Sequence, residues 1–192
     1  MRLEKLLPMS ALPPPIPGRE CGECQVCCID LKIDDPELQK EEDVRCPHLI
    51  AHGCDIYGHR PRTCQSWFCG WRLLNISDAM RPDRSKILLI PEIGNQPGYE
   101  KGGLRIGFVG GDISGLQNDE LLNLAGQLVA RGLPLYLSYG SGAYSKRVLA
   151  NEHLKPAVAA GDRTKFVKLL NGLLADMVAH VDAEMAAAKK PG

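Results

Sequence analysis

After Cys69 the chain has no further cysteine, yet between Cys21 and Cys69 it has eight. Net charge is missing as well: 23 Lys and Arg balance 23 Asp and Glu. The positive excess that draws a protein to nucleic acid or to an anionic membrane surface is therefore absent. Long apolar runs are scarce. The longest near the middle is Ile87-Leu88-Leu89-Ile90, far from the ~20 residues of a membrane span. The start of the chain lacks the basic patch followed by about 7–15 apolar residues that marks a secretory signal. Glu4 and Lys5 interrupt it at once, and Pro8, Pro13, Pro14, Pro15 and Pro17 break the next stretch. These absences predict a cytoplasmic protein without a membrane or nucleic-acid partner. Its partner would be another protein or a small molecule. No H-E-x-x-H, nucleophile elbow or kinase signature is present, so none of those chemistries is predicted.

What remains is ordinary for a globular chain of 192 residues, 44 % apolar and 24 % charged. Its length fits one domain with a small appended module. Three regions are expected: a proline-rich arm over 1–18, a cysteine-rich module over 19–72, and an α+β part over 85–192. In the last, Lys86–Ile93, Leu104–Val109 and Leu135–Tyr139 read as strands. Asn118 caps a helix to about Arg131, stopped by Gly132 and Pro134. Ser145 opens a short helix through His153, ahead of Pro156. Asp162 caps a final helix with Phe166, Leu169, Leu170, Leu173, Met177 and Val181 at helical spacing. The polar stretch Asp34–Asp43 reads as a loop or short surface helix. Val109–Gly115 comes after a strand and precedes a helix, where phosphate loops sit. It lacks both G-x-G-x-x-G and the Lys-Ser/Thr of a P-loop, so a tight glycine turn is expected. Tyr139-Gly140-Ser141-Gly142 is read the same way. The fold class is α+β: an irregular, metal-held cysteine-rich module packed on a small sheet with helices.

Clustered cysteines need a local reason, either a disulfide framework or a metal. In a reducing cytosol the metal is favoured. Cys21-Gly22-Glu23-Cys24-Gln25-Val26-Cys27-Cys28 is C-x-x-C-x-x-C-C. If it is helical, Cys21, Cys24 and Cys28 share a face and Cys27 turns away. Adjacent cysteines resist serving one centre in the same manner, which points to two centres or to one centre and a spare thiol. Two four-coordinate centres would use all eight cysteines. The tandem C-x-x-C and Cys46-Pro47 favour an iron–sulfur cluster, while His48, His52 and His59 within the module lean to zinc. Trp67, Phe68 and Trp71 supply either an apolar shell for the centre or plain core packing. Arg60 and Arg62 are candidates to offset thiolate charge. Residues 19–72 carry seven Lys and Arg against ten Asp and Glu. Thiolates deepen that deficit and repel phosphate.

The string C-x-x-C-x-x-C-C, then Cys46-Pro47-x-Leu49, then C-x-I-Y-x-x-R-P-x-x-C with Trp67-Phe68-Cys69 behind it, resembles the CxxCxxCC cysteine-cluster family. That family is described as a zinc- or iron-chelating domain and has a flagellin lysine methylase among its relatives. The resemblance covers residues 19–72. It implies metal ligation by Cys21, Cys24, Cys27, Cys28, Cys46, Cys54, Cys64 and Cys69. Gln65 departs from the pattern, where Arg often comes after the preceding cysteine. The resemblance carries no activity of its own. Three functions are expected: a metal-binding protein carrying an iron–sulfur cluster or zinc, with redox activity open; an enzyme using an iron–sulfur cluster for redox or group transfer, such as methyl transfer to protein lysine; and a zinc-stabilised protein-interaction module.

Overall fold

A computed structural model describes residues 13–188. Four strands form the main sheet, in the order β5 (Ile87–Ile93), β6 (Gly102–Phe108), β7 (Leu135–Tyr139) and β8 (Lys146–Leu149). β5 and β6 are antiparallel, β6 and β7 parallel, and β7 and β8 antiparallel. The parallel pair needs a crossover, and α5 (Asp119–Ala130) supplies it. Asn118 Oδ1 accepts from the Glu120 and Leu121 N–H groups, satisfying two orphan donors of the first turn. At the other end Leu133 N–H donates to Leu128 C=O and Gly132 N–H to Val129 C=O. This is a Schellman closure, with Gly132 at φ +66° where a side chain would be strained.

The sheet has two different faces, because alternate residues of a strand point to opposite sides. Ile87, Leu89, Ile106, Leu135 and Leu137 meet α5, α6 (Asn151–Ala159) and α7 (Arg163–Ala188) in one large core. On the opposite face Leu88 and Ile90 pack with Val26 of the cysteine-rich region. The chain is thus an α+β fold with the cysteine-rich region laid on the sheet face that the long helices leave uncovered. Gly70, in α3 (Gly70–Leu73), lets α3 approach β5 closely at Leu89, on the side of the large core. A Cβ there would stand 2.6 Å from Leu89 Cβ.

Three sequence readings are corrected. Asp34–Asp43 is neither loop nor helix but contains a hairpin of β1 (Ile33–Asp35) and β2 (Leu38–Lys40). The alternation is hidden because two inward positions, Asp35 and Lys40, are polar yet buried. Ser145–His153 is not a helix: β8 pairs with β7, and α6 starts at Asn151 and runs through Pro156. Buried Asn151 anchors this start, accepting from Leu135 N–H and donating to Leu133 C=O. The inward face of α7 is Phe166, Leu170, Leu174, Met177 and Val181. Leu174 joins it, while Leu169 and Leu173 are only partly buried against the core. Of the proline-rich arm, residues 1–12 lie outside the described residues. Further on, Ile16 N–H donates to Arg72 C=O, and Arg19 donates from its guanidinium to the C=O groups of Trp71, Leu74 and Ile76.

Candidate metal centre

All eight cysteines are free thiols, and all eight line one cavity of about 100 Å³ between the hairpins, α1 (Val26–Asp30) and the sheet. Short elements bring them there. Cys27 and Cys28 sit on α1. Cys54 ends β4 (Gly53–Cys54), paired across to Leu49 of β3 (Leu49–Ile50). Cys64 lies in α2 (Arg62–Ser66) and Cys69 caps α3. The C-x-x-C-x-x-C-C segment is helical only from Val26. The helical face that Cys21, Cys24 and Cys28 would share is therefore not formed.

The backbone ties particular cysteines together. Cys24 N–H donates to Cys21 C=O, and Cys46 N–H donates to Cys28 C=O over 3.0 Å. Arg72 reaches two cysteines at once. Its N–H donates to Cys69 C=O, and its Nη1 lies 3.8 Å from Cys21 Sγ. Gln25 Nε2 donates to the Ile50 and Ala51 carbonyls, pinning the turn between β3 and β4 to α1. The Asp35 carboxylate accepts from Glu37 N–H and from Thr63 N–H, which fastens α2 to the first hairpin. Gln65 Nε2 donates to Arg60 C=O, which supports the loop before Cys64.

Charge around the thiols is uneven. Lys40 is 4 % exposed, and its ammonium donates to the carbonyls of Ile29, Glu41 and Val44. Burial lowers its pKa, while Cys46 and Cys28 oppose that shift. The neighbouring Cys27 thiol lowers the Cys28 pKa to about 7, with Lys40 and Arg60 assisting. The same contact and burial push Cys27 up. Burial raises Cys24 and Cys54 and takes Cys64 and Cys69 to about 11. A buried thiol resists ionisation until a cation replaces its proton.

Among the described residues, no three His, Cys, Asp or Glu side chains stand close enough to hold one ion as they are. The thiols ring the cavity instead of closing on a point. Staggered χ1 wells give each Sγ alternative positions on a fixed backbone. The donor chemistry fits a thiophilic metal: eight soft sulfurs on one cavity. Trp71 Nε1 and Arg72 Nε are buried without an acceptor, and both residues line this cavity. Sulfur bound to a metal would give such N–H groups an acceptor.

Of the histidines, only His48 borders the cavity, with Nδ1 3.1 Å from Asp55 Oδ1. His52 is exposed opposite Glu23 at 3.9 Å, and His59 is exposed in a single 3₁₀ turn. Trp67, Phe68 and Trp71 all line the cavity, and Trp71 also belongs to the large core. Shell and core packing are thus the same residues. Arg60 borders the cavity and stacks on Tyr57.

The two glycine turns are occupied from within. The Gly110 N–H, in the turn after β6, donates to the Asp30 carboxylate. Gly142 N–H donates to Glu42 over 2.9 Å. Carboxylates of the cysteine-rich region therefore take the anion position that a nucleotide phosphate would need. The sequence carries a signal for this in its glycines, but not for the partner that fills them. No helix among the described residues is long and apolar enough to cross a membrane. No protein-family model, curated protein or solved structure matches the chain.

Proposed function

We propose that this chain is a metal-binding protein. Its ligands are Cys21, Cys24, Cys27, Cys28, Cys46, Cys54, Cys64 and Cys69, carrying an iron–sulfur cluster in preference to zinc. The observation that carries the reading is the meeting of all eight free thiols on one cavity. The family resemblance of residues 19–72 agrees with it. The all-sulfur donor set, with its tandem C-x-x-C and Cys46-Pro47, favours iron–sulfur. A bound iron–sulfur centre would supply one-electron chemistry, and zinc would supply a structural crosslink.

The chain's own residues supply the surroundings. Trp67, Phe68 and Trp71 line the cavity with apolar surface, and the buried Lys40 ammonium is held on the carbonyls of Ile29, Glu41 and Val44. The acidic balance of residues 19–72 supports a protein or small-molecule partner over nucleic acid.

The test is metal and acid-labile sulfide content, with a visible spectrum, on protein purified without air. Brown protein with iron and sulfide supports the iron–sulfur form. Colourless protein with zinc supports the structural form and removes redox activity. Metal-free protein with disulfides overturns the reading.

A further inference from the structure

We infer that the eight cysteines form two separate four-thiolate centres, Cys21/Cys24/Cys27/Cys69 and Cys28/Cys46/Cys54/Cys64. This rests on the metal-binding reading and assigns the ligands within it. The dividing line falls between two adjacent residues. Cys27 and Cys28 are neighbours on α1, and consecutive helical side chains diverge by about 100°. Their side chains leave the helix at different angles, and the ligand sets divide there.

Geometry assigns each to its partners. Cys24 and Cys69 pack on one apolar cluster, Val26, Leu88 and Ile90, which lies against the sheet. Cys21 is joined to Cys24 by a backbone hydrogen bond. Arg72 spans Cys21 and Cys69, through Nη1 to Sγ and N–H to C=O. Cys28, Cys46 and Cys64 pack on a different cluster, Ile33, Leu38 and Leu49. Cys46 N–H donates to Cys28 C=O, and Cys54 lies across the hairpin from Leu49.

The chain order makes the centres nested. Three ligands of the first centre precede all four of the second, and Cys69 comes after them. The second centre therefore lies inside a loop that the first closes. The surroundings differ as well. The first centre rests on β5 and on the Arg72 guanidinium, whose Nη1 reaches Cys21 Sγ. The second rests on two hairpins of two or three residues per strand and on the Lys40 ammonium. The first is the anchored centre, and the second is the one whose fold depends on its metal.

The experiment starts from anaerobically purified full-length protein. A chelator is added in steps, free thiols are trapped with N-ethylmaleimide, and the labelled cysteines are mapped by mass spectrometry. The expected result is release in two sets of four. Cys28, Cys46, Cys54 and Cys64 become labelled together, and Cys21, Cys24, Cys27 and Cys69 later. Metal content measured alongside falls by half at the first step. The variants Cys64→Ser and Cys69→Ser are each expected to retain half the metal, and the double variant none. If either fails to fold, the labelling of the unmodified chain still decides. Labelling of all eight together, or of mixed sets, overturns the partition while leaving metal binding intact. Full metal content with four cysteines reactive from the start means a single centre and also overturns it. Protein isolated without metal overturns both the partition and the reading beneath it.

Discussion

The cysteine-rich region and the α+β body are both folded, but by different means. The body buries a continuous core in which Leu89, Ile106, Leu137, Leu154 and Leu170 are at most 1 % exposed. Burial on that scale is what stabilises a domain unaided. Beyond its contact with the sheet, the cysteine-rich region has a private core of only four buried residues, Ile33, Leu38, Cys46 and Leu49. Its strands are three residues long at most, and isolated hairpins of that size are marginal in water. Polar ties such as Lys40 on three carbonyls and Asp35 on two N–H groups specify its path without supplying much net stability. The comparison identifies where an added crosslink has the most to contribute, and the thiols stand in that half.

The strongest way to sharpen the contrast is to remove metal. On the proposed metal-binding reading, stripping metal under reducing conditions is expected to abolish slow hydrogen exchange in β1 to β4 while β5 to β8 stay protected. Equal loss in both regions would show that the body has no independent stability. Leu170→Ala attacks the other half: it empties a fully buried site and should cost about 2–5 kcal/mol in chemical denaturation. Metal stoichiometry should be unchanged, and a proportional loss of metal would break the distinction. Gly70→Ala tests the seam. The new methyl would meet Leu89 Cβ, so α3 must shift, at about 1–3 kcal/mol. Because Cys69 caps α3, this variant should also loosen metal retention, unlike Leu170→Ala.

The smallest effect is pH-dependent. N–H donors from Glu37 and Thr63 hold the Asp35 carboxyl below its ordinary value. A depressed folded pKa means stability that is present above the unfolded value, about 3.9, and lost as pH falls through the folded one. The stability difference between the native chain and Asp35→Asn should be constant above about pH 5 and shrink below about pH 4. A difference independent of pH would remove the carboxylate from the ties that hold α2.

Much of the body is legible in the sequence because its elements obey simple periodicity. Leu135–Tyr139 has the same bounds in the sequence pattern and in the fold, and the cap at Asn118 and the stop at Gly132 stand where the pattern places them. The elements that the pattern misplaces share one cause: tertiary contacts override it. Pro156 argues against a helix, yet Asn151 clamps the start of α6 to β7. Asp35 and Lys40 disguise inward-facing strand positions as surface because backbone groups satisfy them inside the fold: Thr63 N–H for Asp35, and the carbonyls of Ile29, Glu41 and Val44 for Lys40.

By itself the sequence determined the inventory: eight thiols in one region, an acidic surround, a strand–helix body with its caps, and no apolar stretch that spans a membrane. Those depend on composition and on spacing along the chain. Only the tertiary structure decided that all eight thiols share a cavity and that Asp30 and Glu42 fill the glycine turns. Each of these joins segments far apart in sequence, and such contacts are set by how the cysteine-rich region docks on Leu88 and Ile90 of β5.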